Sequence, residues 1–162
     1  MVHTLAVMKL TYEAIPLMIK NGEGAVINVA SIAGRVYVPG WSIYNATKTF
    51  LIAFSETLHM ELKKDNIKVQ ALCPGFTRTD FHQKIGYGLF DLPDCGLNKW
   101  MIPEKVVDVS LKSLEKNKVV CIPGFLNKLS YKMQDWFPRK TAYSVLSKYS
   151  DYKTLFKLDK KK

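Results

Sequence analysis

The chain has 162 residues, of which 48% are apolar and 23% charged, a composition typical of a folded globular domain rather than a disordered segment. Its formal net charge is +10, and its three cysteines show neither a CxxC motif nor a Cys/His ligand spacing, so the sequence predicts no disulfide framework and no metal site. It shows no signal-peptide pattern and no run of about 20 apolar residues that would span a bilayer, and we therefore expect a cytoplasmic protein.

The first half of the chain alternates between helix and strand patterns. Apolar residues recur at intervals of three and four over residues 3–20, which predicts a helix that ends in the turn residues 21–24. The β-branched run at 25–30 predicts a short strand buried on both faces. A loop rich in Gly and Pro follows, and a long helix is predicted from Ser42 to about Lys64.

The second half continues the alternation. Residues 67–75 predict a second buried strand, and residues 76–101 show no clean period. Pro103 suits the first turn of a helix over 103–117, which is followed by a strand at 118–124 and a helix at 125–137. Helices of this length between strands are typical of an α/β fold with a parallel sheet and right-handed crossovers.

The chemistry begins with a tyrosine and a lysine four residues apart in the long helix. Tyr44 and Lys48 share one helix face, and a nearby ammonium lowers the pKa of a phenol, which would let it exchange a proton with an alcohol or carbonyl oxygen near neutral pH. A YxxxK pattern alone is weak evidence of a catalytic pair, because a core tyrosine beside a solvated lysine has the same sequence pattern.

Two other segments strengthen the pattern. Ser31 directly follows the first predicted strand, at the edge of a parallel sheet where ligands bind. Its hydroxyl would hold the same substrate oxygen that Tyr44 protonates. The second strand ends at PGFTRT, residues 74–79, where backbone groups and the hydroxyls of Thr77 and Thr79 would bind amide and phosphate groups.

With the strand GAVINVASIAG, the segment YNATK and the segment PGFTRT in this order, residues 1–124 resemble the short-chain dehydrogenases/reductases. The resemblance implies a Rossmann-like fold and an NAD(P)-dependent oxidoreductase that interconverts a carbonyl and an alcohol. It also implies that Tyr44 is the acid/base, that Lys48 tunes it and binds the nicotinamide ribose, and that Ser31 holds the substrate oxygen. Cofactor contacts are implied for Tyr44, Lys48, Pro74, Gly75, Thr77 and Thr79.

Other family motifs match no part of the sequence. The Gly-rich turn TGxxxGxG and the NNAG segment have no counterpart in residues 1–162, and nothing selects between NAD and NADP. We therefore expect the C-terminal part of a truncated Rossmann-like domain, with about three strands, whose unpaired sheet edge associates with another copy or a completing polypeptide. We do not expect the 162 residues alone to hold the dinucleotide. The alternative is a non-catalytic family member, either an interaction module or a gene fragment.

Three further segments each leave two interpretations open. Apolar residues around the circumference of the helix at 42–64 suggest a dimer through a twin helix, or packing within one chain. Aromatic residues in 81–101 suggest a lid over a small apolar substrate, or an ordinary packed loop. The basic helical extension at 125–162 suggests peripheral contact with a membrane, or a helix over the substrate pocket followed by a solvated tail. No motif supports nucleic-acid binding.

Overall fold

A computed structural model of the chain describes residues 2–37, 39–79, 99–136 and 139–147. In this part of the chain, helices alternate with short parallel strands. The helices are α1 (Val7–Asn21, preceded by a π-helical turn at Val2–Ala6), α2 (Ser42–Glu61), α3 (Pro103–Glu115), α4 (Phe125–Trp136) and α5 (Arg139–Ser147). The strands are β1 (Gly24–Val29), β2 (Ile67–Leu72) and β3 (Val120–Cys121).

The three strands form one parallel sheet in the order β1-β2-β3. β1 pairs with β2 from Gly24 opposite Ile67 to Val29 opposite Leu72, whereas β3 contributes only Val120 and Cys121. The carboxyl ends of the strands therefore meet at one edge of the sheet. The prediction of a Rossmann-like α/β fold with about three parallel strands is confirmed.

Helices cover both faces of the sheet. On one face, Leu51 and Ile52 of α2 pack against Ala71 and Cys73, together with Tyr131 of α4. On the other face, Val106 of α3 packs against Leu72 and Cys121. Cys73 and Cys121 belong to these two different clusters, and both are free thiols. The C-terminal ends of α1, α2 and α3 lie at the edge of the sheet where the strands begin, opposite the edge at which β1 and β2 end.

Some predicted details differ from the structure. Complete burial of the first strand is wrong, since Val29 is 57% exposed; β1 has only β2 beside it among the described residues, which leaves one of its edges open. The long helix ends at Glu61, and a 3-10 turn at Lys63–Asp65 leads to Asn66, whose φ of 56° breaks the helix. Helix α5 lies within 125–162, the segment predicted to be a basic helical extension, but beyond residue 137, where the predicted helix ends. Residues 81–98 of the predicted lid lie outside the described residues.

Candidate active site

A tight turn after β1 brings Ser31 onto helix α2. Ser31 is extended and begins the 3-10 turn Ile32–Gly34, and its hydroxyl oxygen accepts from the N–H of Ala33 at 3.2 Å. A Cβ atom on Gly34 would lie 2.8 Å from the carbonyl oxygen of Lys48, so only glycine permits this approach. The hydroxyl of Thr49 donates to the Gly34 carbonyl at 2.6 Å and fixes the turn against α2.

The first turn of α2 presents Tyr44 to Ser31. The Ser31 side chain acts on the Tyr44 phenol as a hydrogen-bond partner and lowers its pKa. The Lys48 Nζ atom lies 5.6 Å from the centre of the Tyr44 ring. Trp41, one turn earlier, meets the same ring edge-on with 5.3 Å between ring centres. The structure thus brings together the three side chains that the sequence singled out, and it adds an aromatic neighbour that holds the phenol in place.

Lys48 is anchored at the end of β1. Its ammonium donates to the carbonyl oxygen of Val29 at 2.8 Å. The side chain is buried, and burial is the largest effect on its pKa, which it lowers; the neighbouring Cys73 acts in the opposite direction. An ammonium has three donors, so the bond to Val29 leaves it able to bind ligand hydroxyls as well.

The pKa of Tyr44 moves opposite to the sequence-based expectation. Burial raises the pKa of the phenol above its usual 10.0, and the hydrogen bond from Ser31 lowers it only in part. The expectation that Lys48 lowers this pKa is wrong for this structure. The physical reason is that burial destabilises the charged phenolate by more free energy than its neighbours contribute in stabilising it.

A second segment, Pro74 to Thr79, continues from β2 along the same edge. The carbonyl oxygen of Pro74 accepts from the N–H of Ile32 at 3.0 Å and lies 3.5 Å from the Ser31 hydroxyl oxygen. Thr77 donates its hydroxyl to the Gly75 carbonyl at 3.1 Å and forms an isolated parallel bridge with Met101. Thr79 is exposed. Pro74 thus joins this segment to Ser31, while Thr77 and Thr79 lie farther along it.

Asn127 of α4, which sequence reasoning missed, supports that segment from behind. It is buried, and its amide donates to the Pro123 carbonyl at 2.7 Å. A Cβ atom on Gly75 would collide with its side-chain oxygen, so Asn127 packs directly on the glycine backbone. The only signal in the sequence was an asparagine in the first turn of an amphipathic helix, which does not reveal a contact 52 positions away.

Asn28 has a structural role beside the site. Its buried side-chain amide donates to the Ser55 hydroxyl at 2.9 Å, and that hydroxyl donates to the Leu51 carbonyl at 2.7 Å. Ser55 lies two turns after Lys48 on the same face of α2. β1 and α2 are therefore joined twice, once through Asn28 and once through Val29, and this pair of contacts fixes how far Tyr44 lies from Ser31.

The edge suits the nicotinamide end of a dinucleotide. Ligands of parallel α/β sheets bind at this position. Here the buried ammonium of Lys48 lies near the hydroxyl groups of Ser31 and Tyr44, and the loop that begins with Pro74-Gly75 runs along the same edge. In the described ranges, no group of three or more His, Cys, Asp or Glu side chains is placed to hold a metal ion.

Comparison with known proteins agrees with this geometry. The family model described as short chain dehydrogenase matches residues 1–88. The human very-long-chain 3-oxoacyl-CoA reductase is 34% identical over 113 residues, which is 70% of this chain and 33% of that protein. The Xenopus laevis carbonyl reductase family member 4 is 43% identical over 86 residues, 53% of this chain and 33% of that protein. The chain thus spans about a third of the curated relatives it matches.

Among solved structures, a short-chain dehydrogenase from Sphingobium yanoikuyae in complex with NADPH is similar over 88% of this chain and 53% of its own. Its TM-score is 0.70 and its sequence is 30% identical. A 7beta-hydroxysteroid dehydrogenase shares the fold with a TM-score of 0.73 at 23% identity, over 90% of this chain and 56% of that one.

Proposed function

Since this chain belongs to the short-chain dehydrogenase family, we propose that it is part of an NAD(P)-dependent oxidoreductase that interconverts a carbonyl and an alcohol, with Tyr44 as the acid/base. One observation carries the proposal. The Ser31 side chain lowers the pKa of the Tyr44 phenol by hydrogen bonding, and the Lys48 ammonium lies 5.6 Å from the centre of its ring, at the carboxyl edge of a parallel sheet.

In the reductive direction Tyr44 is the proton donor. Because burial raises that pKa, the phenol keeps its proton at neutral pH and acts there as an acid. A carbonyl oxygen between Tyr44 and Ser31 accepts a hydrogen bond from each, and the proton of Tyr44 passes to that oxygen. The tyrosinate that remains is stabilised by the hydrogen bond from Ser31, and the ammonium of Lys48 lies 5.6 Å from the centre of its ring.

The cofactor when bound supplies the hydride, the electron pair that forms the new C–H bond at the carbonyl carbon. Lys48 has the donors to bind ribose hydroxyls, and the segment with Pro74, Gly75, Thr77 and Thr79 is placed to line the nicotinamide side. The NADPH-bound relative at 30% identity supports NADPH as the first cofactor to try, with NADH beside it.

An apolar substrate fits the surroundings of this edge. Phe76 follows Gly75 in the segment Pro74 to Thr79 (the cofactor segment), and its ring lies 5.3 Å from that of Trp100, so this segment carries a pair of aromatic rings. The similarity to very-long-chain 3-oxoacyl-CoA reductases also favours an acyl or other apolar ketone. We therefore propose a small apolar carbonyl compound, or the apolar acyl part of a larger one, as the substrate.

We also propose that the chain associates with another copy of itself. Helix α1 exposes Leu10 and Leu17, two turns apart on one face, to 72% and 65%. On the other flank of α1, Tyr12 meets Phe54 of α2, and Phe54 stacks on Phe50 with 5.7 Å between ring centres. Exposed leucines two turns apart on one helix face are typical of a surface that another copy covers.

The test is an assay on the native protein, isolated with any polypeptide that accompanies the chain. Loss of NADPH or NADH absorbance is followed with 3-oxoacyl-CoA compounds of increasing chain length, and with bulky ring ketones. We expect turnover with one of the two cofactors, and a KM that falls as the acyl chain lengthens. No turnover of any carbonyl or alcohol with either cofactor would contradict the proposal.

A further inference from the structure

The outer face of α4 carries a row of exposed apolar side chains. This apolar stripe consists of Phe125, Leu129, Met133 and Trp136, of which Phe125 is 78% and Trp136 87% exposed. At 3.6 residues per turn, the four positions fall within an arc of about 80°. The opposite side of the helix holds the buried Asn127 and Tyr131, so the stripe faces away from the core.

Positive charge lies alongside the stripe. Lys128 and Lys132 are exposed on its flank, and Lys140 is exposed on α5. From Lys128 to its end the sequence contains ten basic residues, against the acidic Asp135, Asp151 and Asp159. The helix therefore combines a large apolar face with a basic surrounding, and its natural partner is both apolar and negatively charged.

An anionic lipid surface meets both conditions. A second copy of the chain would bring the same lysines against these, and like charges oppose that contact. Aromatic side chains such as Trp136 prefer the boundary between water and hydrocarbon, which is where the stripe would lie. Among the described residues, no helix is long and apolar enough to cross a membrane, so contact by these elements would be peripheral.

We propose that α4 docks on anionic membranes, with the apolar stripe in the headgroup boundary and Lys128 and Lys132 against lipid phosphates. The inner face of the same helix holds the cofactor segment through Asn127 and Gly75. A docked α4 therefore keeps the candidate site close to the bilayer, where apolar carbonyl compounds dissolve. The docking itself needs neither cofactor nor catalysis, so it stands or falls independently of the proposed function.

The experiment is sedimentation of the full chain with large vesicles, either pure phosphatidylcholine or with about one third phosphatidylserine. We expect binding to the anionic vesicles that weakens at least about tenfold between 0.1 and 0.5 M salt, because salt screens the lysines. Phe125→Ser with Trp136→Ser should weaken it at least about tenfold. Lys128→Gln with Lys132→Gln should weaken it roughly tenfold or more on anionic vesicles.

The matched control is Val107→Ser with Leu111→Ser on α3, two exposed apolar residues outside the stripe. This pair should leave binding unchanged, and circular dichroism should show that every variant is folded. The proposal is overturned if the chain stays in the supernatant with anionic vesicles at low salt. It is equally overturned if the folded Phe125/Trp136 variant binds as tightly as the unchanged chain, since the basic tail alone would then account for binding.

Discussion

The thiol of Cys73 is fully buried directly before Pro74, and it makes the stability of the fold sensitive to alkali. Burial, with the nearby Cys121 as the second cause, raises the pKa of Cys73 from 9.0 to about 12. Between pH 9 and about 12, the Cys73 thiol releases its proton in the unfolded chain and retains it in the folded chain. The contribution of Cys73 to stability is therefore complete below pH 9 and is lost as the pH rises toward 12.

We expect Cys73→Ala to flatten this loss. Denaturant unfolding is measured at several pH values, and between pH 9 and 10 the slope of stability against pH should be shallower by about 1 kcal/mol per pH unit. Between pH 7 and 8 the two slopes should coincide, since the thiol is protonated in both states there. Parallel curves from pH 7 to 10 would show that Cys73 does not titrate differently on unfolding.

The contact between the Ser31 turn and helix α2 depends on Gly34. A Cβ atom there would lie 2.8 and 2.9 Å from the carbonyl oxygen and carbon of Lys48, and backbone atoms cannot rotate away. We expect Gly34→Ala to cost about 1–3 kcal/mol of stability and to lower kcat, because it moves Ser31 from Tyr44. Gly24→Ala is the control: its Cβ atom would also meet a neighbour, the Met18 side chain, but Gly24 begins β1 at the end away from Ser31, so kcat should be unchanged. A folded Gly34→Ala protein with full kcat would show that the turn does not position Ser31.

The helices and strands were largely predictable from the sequence, whereas some contacts between them were not. The three strands and the first four helices followed from local signals, namely apolar periodicity and the Gly and Pro residues between elements. The pairing of Gly75 with Asn127 had no local signal, because it depends on how α4 packs against the end of β2. The direction of the Tyr44 pKa shift was missed for a similar reason: the i, i+4 spacing shows the ammonium, whereas the burial that raises the pKa comes from the whole fold.

At the scale of the whole molecule, two surfaces are candidates for association. One is the α1 face with Leu10 and Leu17, and the other is the open edge of β1. The N–H of Ala30 points to Leu72 of β2, so by alternation the N–H of Ala25 points to the open edge. We expect light scattering after size exclusion to give a mass above that of one chain.

Two variants separate the surfaces. Leu10→Glu with Leu17→Glu should reduce the mass to that of one chain if α1 forms the interface, and Ala25→Pro should do so if the edge of β1 pairs with another strand, because proline removes the donor. Ala25→Ser is the control for the edge. A stable monomer for the unchanged chain would contradict both surfaces.

Replacement of Tyr44 by Phe tests the central claim most directly, since it removes only the hydroxyl that meets Ser31. With the native protein and its best carbonyl substrate, we expect kcat to fall by about 10²- to 10⁴-fold with little change in KM, because proton transfer is lost while binding remains. Trp41→Phe, which keeps an aromatic ring beside Tyr44, should retain most of the activity. A Tyr44→Phe protein with unchanged kcat would contradict the account.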